Sequence, residues 1–304
     1  MHSLITLITI LLPLFVGFCV RLPPAGVAWV NRGLSWLVYL ILVLIGLSLA
    51  KVPNLGNQLH LIALTTVWLF VCTIGLNLVV LMVFDHKRPW TQRPCTQQNH
   101  KTRVSVSGSL KQVACVLLGL LLGKALPTQW LPPDAASTDA LMLLVFLVGV
   151  QLRSSGITLR QVFINRRGVQ TAAWFMLANL AAGIVFAATL PHVSWSQGLA
   201  LSSGYGWYSL SSIVMTEAYG PIWGSIALLN DLAREFFALM FIPFIMRRHP
   251  SAGVGIGGAT SLDFTLPIIQ SSGGIAVVPL AISFGFIVNV VSPILMVFFS
   301  TWAF

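Results

Sequence analysis

The sequence predicts an all-α polytopic membrane protein of about eight transmembrane helices with both termini outside. Two discontinuous or re-entrant segments, 197–221 and 253–273, sit in an inverted-repeat core. Three observations carry this expectation. The 304 residues are 57% hydrophobic and 8% charged, with a mean hydropathy of +0.89. Apolar runs of about 20 residues recur, the length that spans a hydrocarbon core. The basic residues fall almost wholly in alternate loops between these runs.

The expected spans are 3–20, 34–50, 59–84, 112–131, 136–152, 169–190, 222–246 and 275–302. The first resembles a signal peptide only superficially, because it lacks a basic start and Arg21-Leu22-Pro23-Pro24 offers no small-residue cleavage site. It reads as a retained helix. The loops decide orientation. Arg21 and Arg32, then Lys87, Arg88, Arg93, Lys101, Arg103 and Lys111, then Arg153, Arg160, Arg166 and Arg167, then Arg247 and Arg248 all face the cytoplasm if the N-terminus is outside. They are fourteen of the 17 basic residues, as the positive-inside rule requires. The formal charge of +10 therefore reads as topology. No basic face interleaved with aromatics points to nucleic acid. By sequence the chain divides into an N-terminal three-helix region (1–84), a basic cytoplasmic loop (85–111) and a core (112–304).

The segment 197–221 is broken by Ser202-Ser203-Gly204-Tyr205-Gly206 and by further serines. The segment 253–273 is broken by Gly253, Gly255, Gly257 and Gly258, then Asp263 and Pro267. Irregular backbone at membrane depth survives only where protein or a polar cavity satisfies it. Each broken segment precedes a full span, so 197–246 and 253–302 read as two copies of one unit in opposite orientation. That is a signature of secondary transporters, with the site where the breaks meet. Two re-entrant hairpins keep Arg247 and Arg248 inside. Two broken crossings are the alternative, with ten spans and the same C-terminal side.

Four of the seven carboxylates, Glu217, Asp231, Glu235 and Asp263, lie between positions 217 and 263. Acids at mid-membrane cost at least ~2.5–3.5 kcal/mol and usually line an ion or substrate path. Span 222–246 carries Asn230-Asp231-Leu232-Ala233-Arg234-Glu235, with Asp231 and Glu235 one helical turn apart. Arg234 neutralises one acid at most, and Asp231 is its expected partner. Glu235 and Asp263 then remain as the coupling and cation-binding pair. A carboxylate lacking a counter-ion in a low-dielectric site takes up protons more readily than one in water. Proton-coupled carriers need that property.

Glu217 reads as a solvated residue near the outer surface. The tip residues Ser203, Gly204, Gly206, Tyr208 and Ser209, with Thr260 and Ser261 of the second break, suit a substrate site. Glycines allow close backbone approach, and half-helix N-termini attract carboxylates. A small-residue helix contact explains the same pattern, and Trp207 and Tyr208 either cap the site or pack. Lys124 and Asp139 either pair across the outer leaflet or Lys124 snorkels to the surface, and Arg153 to Arg167 reads as a retention signal. The four cysteines and six histidines show no metal spacing, so no metal or cofactor is expected. Gly253-Val254-Gly255-Ile256-Gly257-Gly258 fits a dinucleotide fingerprint only formally, since no strand precedes it.

Several longer stretches carry a resemblance. Leu147-Val148-Gly149-Val150-Gln151-Leu152-Arg153, Asn165-Arg166-Arg167-Gly168, Ser203-Gly204-Tyr205-Gly206-Trp207-Tyr208-Ser209-Leu210-Ser211, Asn230-Asp231-Leu232-Ala233-Arg234-Glu235 and Gly257-Gly258-Ala259-Thr260-Ser261-Leu262-Asp263-Phe264-Thr265-Leu266-Pro267 resemble the LysO (YbjE) family of bacterial lysine exporters. The resemblance covers nearly the whole chain and is densest from about 140 to 300. It implies a non-enzymatic exporter of L-lysine and its analogue thialysine in the bacterial inner membrane. It also implies eight spans with both termini outside and functional acids at Glu235 and Asp263. The expected partners are lysine, protons and the bilayer, with a homodimer left open. Proton antiport is the expected coupling. A proton-coupled antiporter of inorganic cations such as Na⁺ is the alternative. An intramembrane aspartyl protease built on Asp231 and Asp263 lacks the flanking residues of that class.

Overall fold

A computed structural model describes residues 12–13, 15–20, 22–50, 55–90, 107–127, 131–133, 135–154 and 165–302. All regular structure in these residues is helical. Residues 12–13 and 15–19 are helical, and five further helices among the described residues precede the breaks: α1 (Pro24–Ala50), α2 (Leu55–Lys87), α3 (Ser107–Ala125), α4 (Ala135–Ser154) and α5 (Arg166–Thr189). The first broken segment is α6 (Trp195–Ser202) followed by α7 (Tyr208–Tyr219), and α8 (Pro221–Ile245) is its full-length partner. The second runs α9 (Pro250–Gly257), a 3-10 turn (Gly258–Leu262), α10 (Leu266–Gly273), a 3-10 turn (Ile275–Val277) and α11 (Val278–Thr301).

Local chemistry sets several of these bounds. Asn165 caps α5 by accepting from Gly168 N at 2.8 Å, and Ser194 caps α6 by accepting from Gln197 N at 3.2 Å, each satisfying a donor that the first turn leaves open. Proline opens α8, α9 and α10, where its missing N–H costs nothing. Helix α1 starts ten residues before the expected span 34–50, which places Arg32 inside a helix rather than in a loop. Hydropathy sees only the apolar part of a helix that continues beyond it. The expected span 112–131 is also corrected, because α3 ends at Ala125, just before Pro127. Residues 3–11 of the first expected span, Lys51, Cys95 and the basic residues Arg21, Arg93, Lys101, Arg103 and Arg160 lie outside the described residues.

Among the described residues four helical stretches are long and apolar enough to cross a membrane: Ala28–Ala50, Gln58–Lys87, Arg166–Thr189 and Ile275–Thr301. Ala114–Ala125 and Met142–Gln151 are shorter apolar helices. Helix α8 has the length, at 25 residues, but carries three charges along its middle.

The contacts settle how the broken segments run within the bundle. Gly183 of α5 lies against Gly198 and Ser202 of α6, and Gly224 of α8 lies against Ser212 and Thr216 of α7. Both are antiparallel pairs joined by short turns. His192, in the turn before α6, lies 6.3 Å ring to ring from Trp223 at the start of α8, so the start of α6, the end of α7 and the start of α8 share the bundle end where α5 finishes. At the opposite end Met246, just after α8, touches Gly253 of α9 and Gly273 of α10. Each broken segment thus folds back to the end it came from, as a hairpin. The hairpins enter from opposite ends and meet midway. One apolar cluster, including Leu201, Leu210, Ile213, Ile226 and Leu228, fills one half of the bundle. Another, including Leu81, Phe175, Ile242, Val254 and Phe284, fills the other.

The second hairpin is anchored at its entrance. Asp85, at the end of α2, accepts from Ser251 N at 2.9 Å and Ala252 N at 3.2 Å, capping α9. It also pairs with Arg167, which donates to Ser251 Oγ at 3.1 Å and lies over Phe84 at 4.9 Å. Arg167 is thus a structural ion-pair partner, not only a retention charge. Asp85→Ala should lower folding stability by about 3 kcal/mol, because it leaves a partly buried guanidinium and a helix N-terminus without their acid. Thermal unfolding in detergent measures this.

Helix α2 packs on α5, α8 and α9, within the hairpin-bearing core, whereas α3 and α4 pack on α1.

Candidate functional site

The hairpin tips touch backbone to backbone. Ala259 N donates to Tyr205 O at 2.8 Å. The approach depends on left-handed backbone: Tyr205 has φ 56°, Gly206 φ 91° and Gly258 φ 58°. A Cβ on Gly258 would collide with the Tyr205 carbonyl. Tyr205 is a non-glycine residue in this region, a conformation that costs on the order of 1–3 kcal/mol. Its ring packs edge-on against Phe175 with centroids 5.2 Å apart. Helix α11 satisfies carbonyls of both tips. Ser292 Oγ donates to Ser203 O at 2.9 Å, and Asn289 Nδ2 donates to Ala259 O at 2.7 Å.

The middle of α8 lies beside this junction, and Asn230, Asp231, Arg234 and Glu235 are each 2–3% exposed. Asp231 is held by neutral donors. Ser211 Oγ donates to it at 2.6 Å, Asn230 Nδ2 at 3.1 Å, and the Gly206 N–H bonds its carboxylate. Asp231 therefore ties the first tip to α8. Arg234 acts on it through space, but the hydrogen bond of Arg234 goes elsewhere, from Nη2 to Asn179 Oδ1 at 3.2 Å. The expected Asp231–Arg234 pairing is thus an electrostatic neighbourhood rather than a hydrogen-bonded pair.

Glu235, on α8, and Asp263, in the second hairpin, both act electrostatically on the Tyr208 phenol, which also neighbours Tyr39 of α1. The structure therefore brings together the two acids singled out in the sequence, and adds Tyr208 and Tyr39 to them. Asp263 is exposed and accepts from Phe264 N at 2.5 Å. Gln270 and Ser271 on α10 are exposed with it, whereas α7 is buried from Ser209 to Met215.

Three residues expected in the substrate site donate hydrogen bonds within their own hairpins. Ser203 Oγ donates to Leu199 O at 2.7 Å, Thr260 Oγ1 to Gly257 O at 2.8 Å and Ser261 Oγ to Val254 O at 2.6 Å. Gly204 lies against Ser211 and Asp231, and Ser209 is buried next to Tyr208. Backbone donors expected at the breaks are also in use, since Gly206 bonds Asp231, Gly258 bonds Gly255 O and Ala259 bonds Tyr205 O. Glu217, Lys124 and Asp139 are exposed, and no ion pair joins Lys124 to Asp139 among the described residues. Asn179, Asn289 and Ser292 were missed. Their signal was a polar residue in the middle of an apolar span.

A buried charge cluster at the meeting point of two broken helices, inside an apolar helical bundle, defines a polytopic membrane transporter. The family model described as lysine exporter LysO matches residues 113–300, and the chain belongs to that family. It is 41% identical over 300 residues to lysine exporter LysO of Escherichia coli K12, covering 97% of this chain and 98% of that protein. It is 48% identical over 191 residues to a putative lysine exporter of Haemophilus influenzae, covering 62% of this chain and 97% of that protein. No solved structure matches it.

Proposed function

We propose that this protein exports L-lysine, and thialysine with it, across the bacterial inner membrane by exchange for protons. The single observation that carries the reading is the buried polar middle of α8, Asn230 to Glu235, beside the point where the two hairpin tips bond through Ala259 N and Tyr205 O, in a chain whose relatives are named lysine exporters. Lysine carries two ammonium groups and one carboxylate. The two acids receive the cationic groups, and protons arriving from outside displace them. Coupling is required on energetic grounds. Moving one net positive charge outward against an inside-negative potential costs about 2.3 kcal/mol per 100 mV.

In this reading both termini face outside, there are eight spans, and the hairpins re-enter from opposite surfaces. The end of the bundle bearing Arg88, Arg166, Arg167, Arg247 and Arg248 faces the cytoplasm. The exposed face of α10 with Asp263, Gln270 and Ser271 then gives lysine a polar approach from that side.

Lysine-loaded proteoliposomes with a trapped pH dye test this. Acidifying the outside should accelerate lysine efflux and acidify the lumen, and loading with Na⁺ instead should do neither. Lysine efflux without proton entry would sink the antiport mechanism.

A further inference from the structure

The mechanism above uses the cationic groups of lysine and leaves Arg234 and Asn230 without a task. Arg234 is 2% exposed. Its Nη2 bonds Asn179 and its guanidinium carbon stands 5.4 Å from the centre of the Phe175 ring. The Nε and Nη1 atoms are buried with no hydrogen-bond partner. A buried guanidinium with two vacant donor atoms is costly unless an anion arrives to meet them. The side chain is wedged between the hairpins, its Cδ lying against both Gly206 and Gly258.

One helical turn away on the same face of α8, Asn230 presents the opposite polarity. Its Nδ2 donates to Asp231, which fixes the amide orientation because a carboxylate only accepts. Its Oδ1 is buried and without a partner. Unfilled donors beside an unfilled acceptor match the two charges of an α-amino acid. The backbone N–H groups of Gly206, Gly258 and Ala259 are already bonded within the protein, so they do not compete for the anion.

We propose that Arg234 and Asn230 form the receptor for the α-amino-acid headgroup of the exported substrate. Arg234 Nε and Nη1 bind the carboxylate and Asn230 Oδ1 accepts from the α-ammonium. Glu235 and Asp263 remain the countercharges of the two ammonium groups, and Asn230 adds a hydrogen bond that only an α-ammonium can donate. The assignment rests on the amino-acid export reading and specifies which end of the substrate is read where. It makes the protein selective for amino acids over the diamines that share lysine's two cationic groups.

The test compares lysine with 1,5-diaminopentane, which lacks the carboxylate, and 6-aminohexanoate, which lacks the α-ammonium. Binding of each is measured by calorimetry on the purified full chain. A site built to hydrogen-bond the carboxylate should prefer lysine over the diamine by at least about 100-fold. Arg234→Gln should reduce that preference to a few-fold, with diamine binding unchanged, and Arg234→Lys should restore part of it. Asn230→Ala should selectively narrow the preference for lysine over 6-aminohexanoate.

An Arg234→Gln protein that keeps the wild-type preference would overturn the assignment. So would a wild type that binds the diamine as tightly as lysine, a result that needs no variant to fold. If Arg234→Gln does not fold, Asn230→Ala decides, and an unchanged preference over 6-aminohexanoate overturns the proposal. A wild type that binds no amino acid overturns the export reading itself, and this assignment with it.

Discussion

Glu235→Gln protein in proteoliposomes should lose lysine/proton exchange while remaining folded. Glutamine keeps the shape of the side chain and its hydrogen-bonding capacity, but it neither attracts an ammonium group nor takes up and releases a proton. Loss of one partner of a buried charge contact costs roughly 2–5 kcal/mol, so lysine affinity should fall at least about 30-fold and coupled exchange to background. Glu235 is 3% exposed, and the near-isosteric glutamine should leave the protein with a single cooperative melting transition. The paired measurement is counterflow of labelled lysine with a melting curve on the same preparation. Full retained exchange would remove Glu235 from the mechanism.

Gly258→Val should have the second largest effect, and through the backbone. Gly258 has φ 58°, where a side chain costs ~1–2 kcal/mol, and more for a β-branched one. Its Cβ would also strike the Tyr205 carbonyl, the acceptor of the bond from Ala259 that joins the tips. The variant should lose about 3 kcal/mol or more of stability from these two causes together. Export should fall to background even in the folded fraction, because Gly258 also lies against Arg234, so its displacement shifts the hairpin that carries Asp263 away from the helix that carries Glu235. Gly253→Ala is a useful comparison. Its Cβ would meet the flexible end of the Met246 side chain first, at 2.8 Å, so it should cost less and keep export. Equal behaviour of the two variants would show that the tip contact is not what export depends on.

Much of this was legible along the chain. Glycine and serine runs interrupting apolar segments made breaks visible within 197–221 and 253–273, but not their bounds, because Gly253, Gly255 and Gly257 lie inside α9 and Ser209, Ser211 and Ser212 inside α7. Acids in such surroundings are costly enough that Glu235 and Asp263 stood out without coordinates. Arg32 and Ala125 show where reading by hydropathy stops. A helix boundary set by a proline or by a neighbouring helix leaves little trace in mean hydropathy. Asp231 and Arg234 act on each other through space, and only the hydrogen bond between them is absent. Spacing of three along a helix puts two side chains near each other, but whether they bond depends on what other helices offer them. Here Ser211 and the Gly206 N–H reached Asp231 first, and Asn179 reached Arg234.

The composition of the chain was therefore enough for its class, its broken segments and its two costly acids. Each of these follows from the price of polar groups in an apolar medium, a property of residues taken one stretch at a time. Which way each hairpin returns, which hydroxyls donate within their own hairpins, and which buried groups on α8 keep vacant hydrogen-bond positions were decided by tertiary packing. Those outcomes depend on contacts between segments far apart in sequence, such as Ala259 with Tyr205 and Arg234 with Asn179, and no local pattern encodes the competition among them.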